Sequence, residues 1–143
     1  MSVKQISVFL ENKPGALADL TRTLADNGID MRAFSLAETS DFGIARVIVD
    51  DLYKTTTVLK DAGFVHAVSS VLAVAIPDVP GGLNQVLSVL RDEETNVEYM
   101  YAFLGGRAGA AYMIFKVAGH HKAAAALTAR NFRLVDQDEL SEL

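Results

Sequence analysis

The sequence predicts an α+β fold in which antiparallel sheets carry helices on one side and the order strand, helix, strand, strand, helix, strand occurs twice. Half of the 143 residues are hydrophobic and 22% are charged, which gives enough apolar surface for a core. Along the chain, apolar residues recur with the period of strands and of helices in turn. A motif of the first half returns 66 residues later, which indicates two structural repeats.

The repeat is clearest at the start of each half, where seven positions carry residues of the same kind. The pairs are Ile6 with Leu72, Val8 with Val74, Leu10 with Ile76, Asn12 with Asp78, Pro14 with Pro80, Gly15 with Gly81, and Leu17 with Leu83. The halves have no flexible linker between them, because only Ser69 and Ser70 separate the predicted elements. We therefore expect two domains, residues 1–69 and residues 70–143.

In the first half, residues 4–10 alternate between apolar and polar and are predicted to form a strand. Leucines at helical spacing then predict a helix over residues 17–25, which Gly28 ends. Two strands follow at residues 29–38 and 44–49 around a short turn-rich segment, which indicates a hairpin. A helix at residues 51–62 and a strand at residues 64–69 complete the unit.

The second half repeats this order. It is predicted to contain strands at residues 71–76, 97–104, 110–117 and 132–135. Its first helix carries Leu83, Val86, Leu87 and Leu90 on one face, and its second helix, residues 120–130, is rich in alanine, the best helix former. Each half thus has the ferredoxin-like order βαββαβ.

Composition excludes several classes of function. The net charge is −5 and the 13 lysines and arginines are scattered, which argues against nucleic-acid binding. The chain has no cysteine, and no apolar stretch reaches the roughly 18 residues of a membrane span. The N-terminus lacks the apolar region of a signal peptide. We expect a cytoplasmic protein that binds neither nucleic acid nor membrane.

The segment VFLENKPGALADLTRTLADNGIDM resembles the opening of an ACT domain, a small regulatory fold attached to many enzymes of amino-acid metabolism. AVAIPDVPGGLNQVLSVLRDEETNVEYMYAF resembles a second copy, although Thr95-Asn96-Val97-Glu98 replaces the Gly-Ile-Asp of the first. The resemblance covers nearly the whole chain. It implies a tandem ACT domain protein that acts as an allosteric regulator and binds a free amino acid where ACT domains meet.

The resemblance also implies where the ligand binds. The family uses the loop between the first strand and the first helix, together with the start of the second strand of a neighbouring domain. On this chain the implied ligand-binding residues are Asn12, Pro14, Gly15, Ala16, Leu17, Ile29, Asp30, Asp78, Pro80, Gly81, Gly82, Leu83, Asn96 and Val97. Neither a cofactor nor a metal ion is implied.

Physical chemistry supports such a site at the two strand-to-helix loops. The first turn of a helix presents unpaired N–H groups and a partial positive charge, which suit a carboxylate. Asn12 and Asp78 offer acceptors for an ammonium group. An alternative is that these two side chains only cap the helices, as their residue types often do. We also expect Gly15 and Gly81 to provide space for the ligand, and Pro14 and Pro80 to begin the helices.

Other motifs favour structural roles. His120 and His121 are neighbours on a helix without a carboxylate at ligand spacing, so we expect no metal site. The glycine-rich segment 105–109 is interpreted as a hairpin turn because it lacks the phosphate-loop pattern. No catalytic motif stands in a supporting context, so we expect a protein without enzymatic activity.

Three further hypotheses concern partners and activity. Exposed aromatic residues predict a homodimer that buries them, and they are Phe9, Phe34, Tyr99, Tyr101 and Phe103. The main alternative function is a regulatory subunit that docks on a separate enzyme of amino-acid metabolism and controls it. A weaker alternative is an enzyme that uses Tyr99, Tyr101 and His121 on a ferredoxin-like scaffold.

Overall fold

The computed structural model describes residues 2–143, in which seven strands and five helices follow one another. The first six elements are β1 (Val3–Glu11), α1 (Ala16–Asp26), β2 (Met31–Glu38), β3 (Phe42–Val49), α2 (Leu52–Asp61) and β4 (His66–Pro77). The remaining six are α3 (Gly82–Asp92), β5 (Val97–Ala102), β6 (Ala110–Val117), α4 (His120–Ala129), β7 (Arg133–Val135) and α5 (Gln137–Glu142). The chain divides into two compact units, Lys4–Ser69 and Ser70–Leu143, and residues 2–3 belong with the second.

The first unit contains a sheet with the strand order β2-β3-β1-β4. β1 and β2 both pair with β3 in antiparallel register, for example Phe9 with Ile44 and Ala37 with Ile44. Ile6, Val8 and Leu10 point to one face of β1, where they pack with leucines of α1 and α2; the buried core consists of Ile6, Val8, Leu10, Leu20, Leu24, Ile29, Ala45, Val47, Val49 and Leu59. Both helices therefore cover the same face of this sheet.

The second unit repeats the arrangement with the strand order β7-β4-β6-β5. β4 pairs with β6 and β7, and β5 pairs with β6, all in antiparallel register. Its buried core joins one face of these strands to α3 and α4, and it consists of Leu72, Val74, Ile76, Val86, Val89, Leu90, Phe115, Val117, Ala123, Ala124 and Leu127. The predicted fold class, α+β with the ferredoxin-like order repeated twice, is confirmed.

Two details of the prediction were wrong. The strands predicted at residues 64–69 and 71–76 are one continuous strand, β4, because Ser69 and Ser70 take extended backbone without a break. Helix α5 was not predicted. Its N-cap is Asp136, whose side chain accepts a hydrogen bond from the Glu139 amide at 2.8 Å, and the helix buries Leu140 completely.

Candidate functional site

The two strand-to-helix loops contain the same tight turn. In the first loop the Ala16 amide donates to the Lys13 carbonyl at 3.3 Å, and Gly15 between them has φ +87°. In the second loop the Gly82 amide donates to the Val79 carbonyl at 3.0 Å, and Gly81 has φ +85°. Proline at the second position and a left-handed glycine at the third are typical of a type II turn. Pro14 and Pro80 therefore lie in these turns before the helices, not in the helices as predicted.

The positive φ explains why glycine occupies the third position of both turns. A Cβ added to Gly15 or Gly81 would meet no atom within 4 Å, so space inside the protein does not demand glycine there. Backbone conformation does, because a left-handed residue with a side chain is strained. Any ligand contact at these glycines is therefore additional to their role in the turn.

The turns leave a set of amides without an acceptor at the start of each helix. In α1 the amides of Gly15, Leu17 and Ala18 have no hydrogen-bond acceptor among residues 2–143, whereas the Ala16 amide is used by the turn. In α3 the amides of Gly81, Leu83 and Asn84 likewise have no acceptor among residues 2–143, whereas the Gly82 amide makes the hydrogen bond of the turn. Each helix start can thus offer three N–H groups to an anion.

Asn12 does not cap α1, which makes the capping alternative wrong for this residue. Its Nδ2 donates to Glu38 Oε2 at 2.9 Å and to the Thr39 carbonyl at 3.0 Å, and the helix has Gly15 at its N-cap without a side-chain bond. The Asn12 amide also donates to the Asp41 carbonyl at 3.0 Å. Asn12 therefore joins the first loop to the β2–β3 hairpin, and its Oδ1 remains available as an acceptor.

Asp78, the counterpart of Asn12, does not cap α3 either. Gly81 is the N-cap residue, and it makes no side-chain cap bond. The Asp78 amide donates to the Gly109 carbonyl at 3.2 Å, but its exposed carboxylate has no hydrogen-bond partner in the described part of the chain. An unpaired carboxylate near the α3 amides favours an ammonium group at this loop.

The two loops also differ in charge. Lys13 in the first loop is paired with Glu11 at 2.9 Å, and the hydrogen bond to that carboxylate raises the pKa of Lys13 above its usual value of 10.5. Lys13 therefore stays protonated at neutral pH. Val79 occupies the corresponding position in the second loop. The first loop thus contains an ion pair, whereas the second loop has an uncharged residue at the position of Lys13.

A small cavity of about 120 Å³ lies at the first loop. It is lined by Leu10, Glu11, Asn12, Lys13, Ala16, Leu17, Leu36, Glu38 and Gly43. Three of the predicted ligand-binding residues thus line this cavity, and they are Asn12, Ala16 and Leu17. Glu38 was missed by the sequence analysis, because only the hairpin fold brings it to the loop.

In each unit, the predicted ligand-binding residues at the start of the second strand lie at the end of the sheet opposite the strand-to-helix loop. β1 and β2 run in the same direction, since both pair antiparallel to β3, so the start of β2 is far from the end of β1. Ile29 is buried in the core, and Asp30 forms an ion pair with Arg32 at 2.8 Å. Asn96 and Val97 precede or begin β5 in the same way, opposite the Asp78 loop. A single unit therefore does not bring these residues to its own loop.

Tyr99, Tyr101 and His121, the trio of the enzymatic alternative, belong to β5 and α4 of the second unit. Tyr101 and Phe103 are each 8% exposed, and Tyr99 and Tyr101 lie on the face of the sheet opposite α4, which carries His121. The proposed catalytic trio is therefore not assembled.

Residues 105–109 lie in the connection between β5 and β6, as predicted. Across residues 2–143 the structure has no group of three potential metal ligands, and no helix there is long and apolar enough to cross a membrane.

Comparison with known proteins identifies the family. A family model described as an ACT domain pair matches residues 1–143. A protein from Bacteroides thetaiotaomicron with a solved crystal structure is similar over 100% of this chain and 98% of its own, with 36% identity and a TM-score of 0.93. No curated protein matches the sequence.

More distant structures share the fold. The regulatory subunit of aspartate kinase from Thermus thermophilus, in its ligand-free form, aligns over 90% of both chains with 18% identity and a TM-score of 0.68. The corresponding subunit from Thermus flavus aligns over 88% of this chain and 90% of its own, with 16% identity and a TM-score of 0.57. Together with the match over the entire sequence, these findings show that the chain belongs to the family of ACT domain pairs.

Proposed function

We propose that this protein is a cytoplasmic, non-catalytic regulator that senses a free amino acid, and that the primary ligand site is the loop between β1 and α1. The observation that carries the proposal is the set of three amides at Gly15, Leu17 and Ala18 without acceptors, beside the protonated Lys13. These groups suit the carboxylate of an amino acid. We expect Asn12 Oδ1 to accept a hydrogen bond from its ammonium group.

The second loop is a further candidate site with different chemistry. Its three amides at Gly81, Leu83 and Asn84 also lack acceptors in the described chain, but the charged residue of this loop is Asp78. This carboxylate favours an ammonium and opposes a second carboxylate. We therefore expect weaker amino-acid binding at this loop than at the first.

A homodimer is part of the proposal. Within the first unit, Asp30 and the β1–α1 loop lie at opposite ends of the sheet. A second copy of the chain could supply the strand start that the family resemblance implies. The aromatic argument for a dimer is weaker than the sequence suggested, because Tyr101 and Phe103 are already buried and Phe34 packs against the core. Light scattering at micromolar concentration tests this part, and a monomeric mass would contradict it.

A thermal-shift screen against the twenty common amino acids tests the sensing function. A ligand that binds only the folded state raises the apparent stability by mass action, by about 2.7 kcal/mol at a hundred times its dissociation constant. We expect one amino acid, or one chemical group of them, to raise the melting temperature. Identical melting curves with all twenty would contradict the proposal.

A second candidate function is a separate regulatory subunit of an enzyme of amino-acid metabolism. It is favoured by the similarity in fold to the regulatory subunit of aspartate kinase from Thermus thermophilus over 90% of both chains. This function predicts that the chain and the catalytic subunit of such a kinase elute together in gel filtration, and that an amino acid changes the affinity. Separate elution with and without each amino acid would contradict it.

A further inference from the structure

A glycine of the sheet lies in the lining of the cavity at the β1–α1 loop. Gly43 on β3 pairs with Leu10 of β1 on one side and with Glu38 of β2 on the other. Directly opposed residues of an antiparallel pair point to the same face of a sheet, and Leu10 belongs to the core that contains the leucines of α1. Leu36, two residues before Glu38, points to this face as well. All four residues line the cavity, and Gly43 leaves the middle of the row without a side chain.

Neither backbone conformation nor crowding requires glycine at position 43. The φ of Gly43 is not positive, so a residue with a side chain could adopt the same backbone conformation. A Cβ added to Gly43 would lie 3.4 Å from Leu36 Cδ1, which is an ordinary contact. The second unit has Ala111 at the corresponding position, since Ala111 pairs with Ile76 as Gly43 pairs with Leu10. What glycine provides here is the space of the cavity, part of which a methyl group would occupy.

The side chains that line the cavity fall into an apolar and a polar group. Three leucines supply apolar surface, and they are Leu10, Leu17 and Leu36. Glu38 has one carboxylate oxygen held by Asn12 Nδ2 at 2.9 Å, while its other oxygen has no hydrogen-bond partner among the residues described. The cation of the lining, Lys13, is paired with Glu11. The free oxygens of Glu38 and Asn12 suit an ammonium group, and the leucines suit an apolar side chain.

The volume of the cavity limits the size of the ligand. Pockets for drug-sized molecules typically have volumes of about 300–1,000 Å³, whereas this cavity has a volume of about 120 Å³. A cavity of about 150 Å³ holds one benzene molecule, which is similar in size to alanine and smaller than phenylalanine. Every residue of the lining belongs to the first unit. The cavity therefore has room for a small amino acid but not for a large one.

We infer that this cavity selects amino acids with side chains no larger than that of serine, and that Gly43 and Leu36 set the limit. Gly43 contributes by its missing side chain, and Leu36 contributes by its own side chain, which lies beside Gly43 and is 47% exposed. The ligand class is thus glycine, alanine and serine. The inference rests on the proposed function, because it specifies which free amino acids bind at the β1–α1 loop.

Calorimetric titration of the full chain with five amino acids tests the size limit. The probes are glycine, L-alanine, L-serine, L-leucine and L-phenylalanine. We expect at least one of the first three to bind, and leucine and phenylalanine to bind at least about tenfold more weakly than the tightest of them. Leucine or phenylalanine binding as tightly as the best small amino acid would overturn the inference.

The variant Gly43→Ala reduces the space of the cavity by one methyl group. We expect it to weaken binding of the tightest small amino acid about tenfold or more, because the methyl group and the ligand would compete for the same volume. Urea unfolding should show that the variant is at least as stable as the parent chain, because glycine within a strand is less favourable than alanine. Unchanged affinity in a variant of parental stability would overturn the inference.

The variant Leu36→Ala enlarges the cavity and tests the same limit in the opposite direction. We expect the affinity for leucine to rise at least about tenfold relative to the affinity for the best small amino acid. Leu104→Ala is the matched control, because Leu104 is an exposed leucine of the second unit. It should leave this ratio unchanged. An equal ratio in Leu36→Ala, Leu104→Ala and the parent chain would contradict a role of Leu36 in selection.

The outcomes separate this inference from the proposed function. If large amino acids bind as tightly as small ones, the sensing function stands and the size limit is wrong. The same conclusion follows if a small amino acid binds and Gly43→Ala binds it equally well. If none of the twenty amino acids binds the parent chain, the sensing function and the inference both fail.

Discussion

Alanine substitutions at Gly15 and Gly82, one glycine from each strand-to-helix loop, should differ in their effect on stability for reasons visible in the structure. At Gly15 a Cβ meets nothing within 4 Å, so the cost comes from φ +87° alone. Left-handed backbone costs roughly 1–2 kcal/mol for a residue with a side chain. The lower entropy of the unfolded chain returns about 0.4–1 kcal/mol. We expect Gly15→Ala to reduce the free energy of unfolding by about 1 kcal/mol.

Gly82 presents the opposite case. Its φ is ordinary, but an added Cβ would overlap the Pro77 carbonyl oxygen and lie 3.3 Å from the carbonyl carbon, both backbone atoms that cannot rotate away. Overpacking of this kind typically costs about 1–3 kcal/mol and occasionally more. We expect Gly82→Ala to reduce the free energy of unfolding by about 3 kcal/mol. In the first unit Ala16 occupies the corresponding position, so the constraint belongs to the second unit alone.

Urea unfolding of the parent chain and the variants measures these differences. Gly63→Ala is the matched control, because Gly63 has φ +83° and open space around its α-carbon but lies outside both loops. It should lose as much stability as Gly15→Ala. The reasoning would be refuted if Gly82→Ala were as stable as Gly15→Ala, or if Gly63→Ala and Gly15→Ala differed by more than about 1 kcal/mol. Amino-acid titrations of Gly15→Ala and Gly63→Ala then separate a binding role of Gly15 from backbone strain. A contact between Gly15 and the ligand would weaken binding in Gly15→Ala alone.

Three further predictions concern the polar residues of the loops. Asn12→Ala should cost about 1 kcal/mol of stability through its lost hydrogen bonds to the hairpin and weaken amino-acid binding, as urea unfolding and calorimetry would show. Asp78→Asn should change stability by less than about 0.5 kcal/mol, because the carboxylate makes no bond among residues 2–143, and should leave the first-loop affinity unchanged in the same titration. Glu11→Gln should lower the pKa of Lys13 towards 10.5 in an NMR titration, because the charged partner that raises this pKa is removed; an unchanged pKa would contradict the assigned ion pair.

The interaction between Lys13 and Glu11 makes a contribution to folding stability that decreases at high pH. Glu11 raises the pKa of Lys13, so the interaction contributes to stability below the usual pKa of 10.5 and is lost as the pH rises through the higher pKa of the folded state. Both side chains are largely exposed, and solvent therefore weakens the contribution.

Local sequence patterns predicted the βαββαβ elements of both units, because these elements show a hydrophobic periodicity or a turn motif within their own residues. The leucines of α1 and the Pro-Gly turns are examples. Ser69 and Ser70 misled the prediction, since serine is common between strands but is also compatible with extended backbone. The short helix α5 depends on burial of Leu140. Its six residues are too few for a hydrophobic pattern to predict that burial.

The candidate site was harder to predict because it depends on contacts between distant residues. Asn12 was recognised as important, but its bond to Glu38 joins residues 26 apart and follows from the sheet register. Whether Phe103 would be exposed likewise depended on Tyr112 lying beside it.

An NMR titration of the ¹⁵N-labelled chain with the amino acid selected by the thermal-shift screen tests the central claim most directly. If an amino acid binds at the β1–α1 loop, the amide signals of Gly15, Leu17 and Ala18 should shift most, because these three N–H groups lack acceptors in the described chain and would gain the ligand carboxylate. Signals from α2 should stay in place. If saturating ligand leaves the three loop signals unmoved while others shift, the ligand binds elsewhere and the proposed site is wrong.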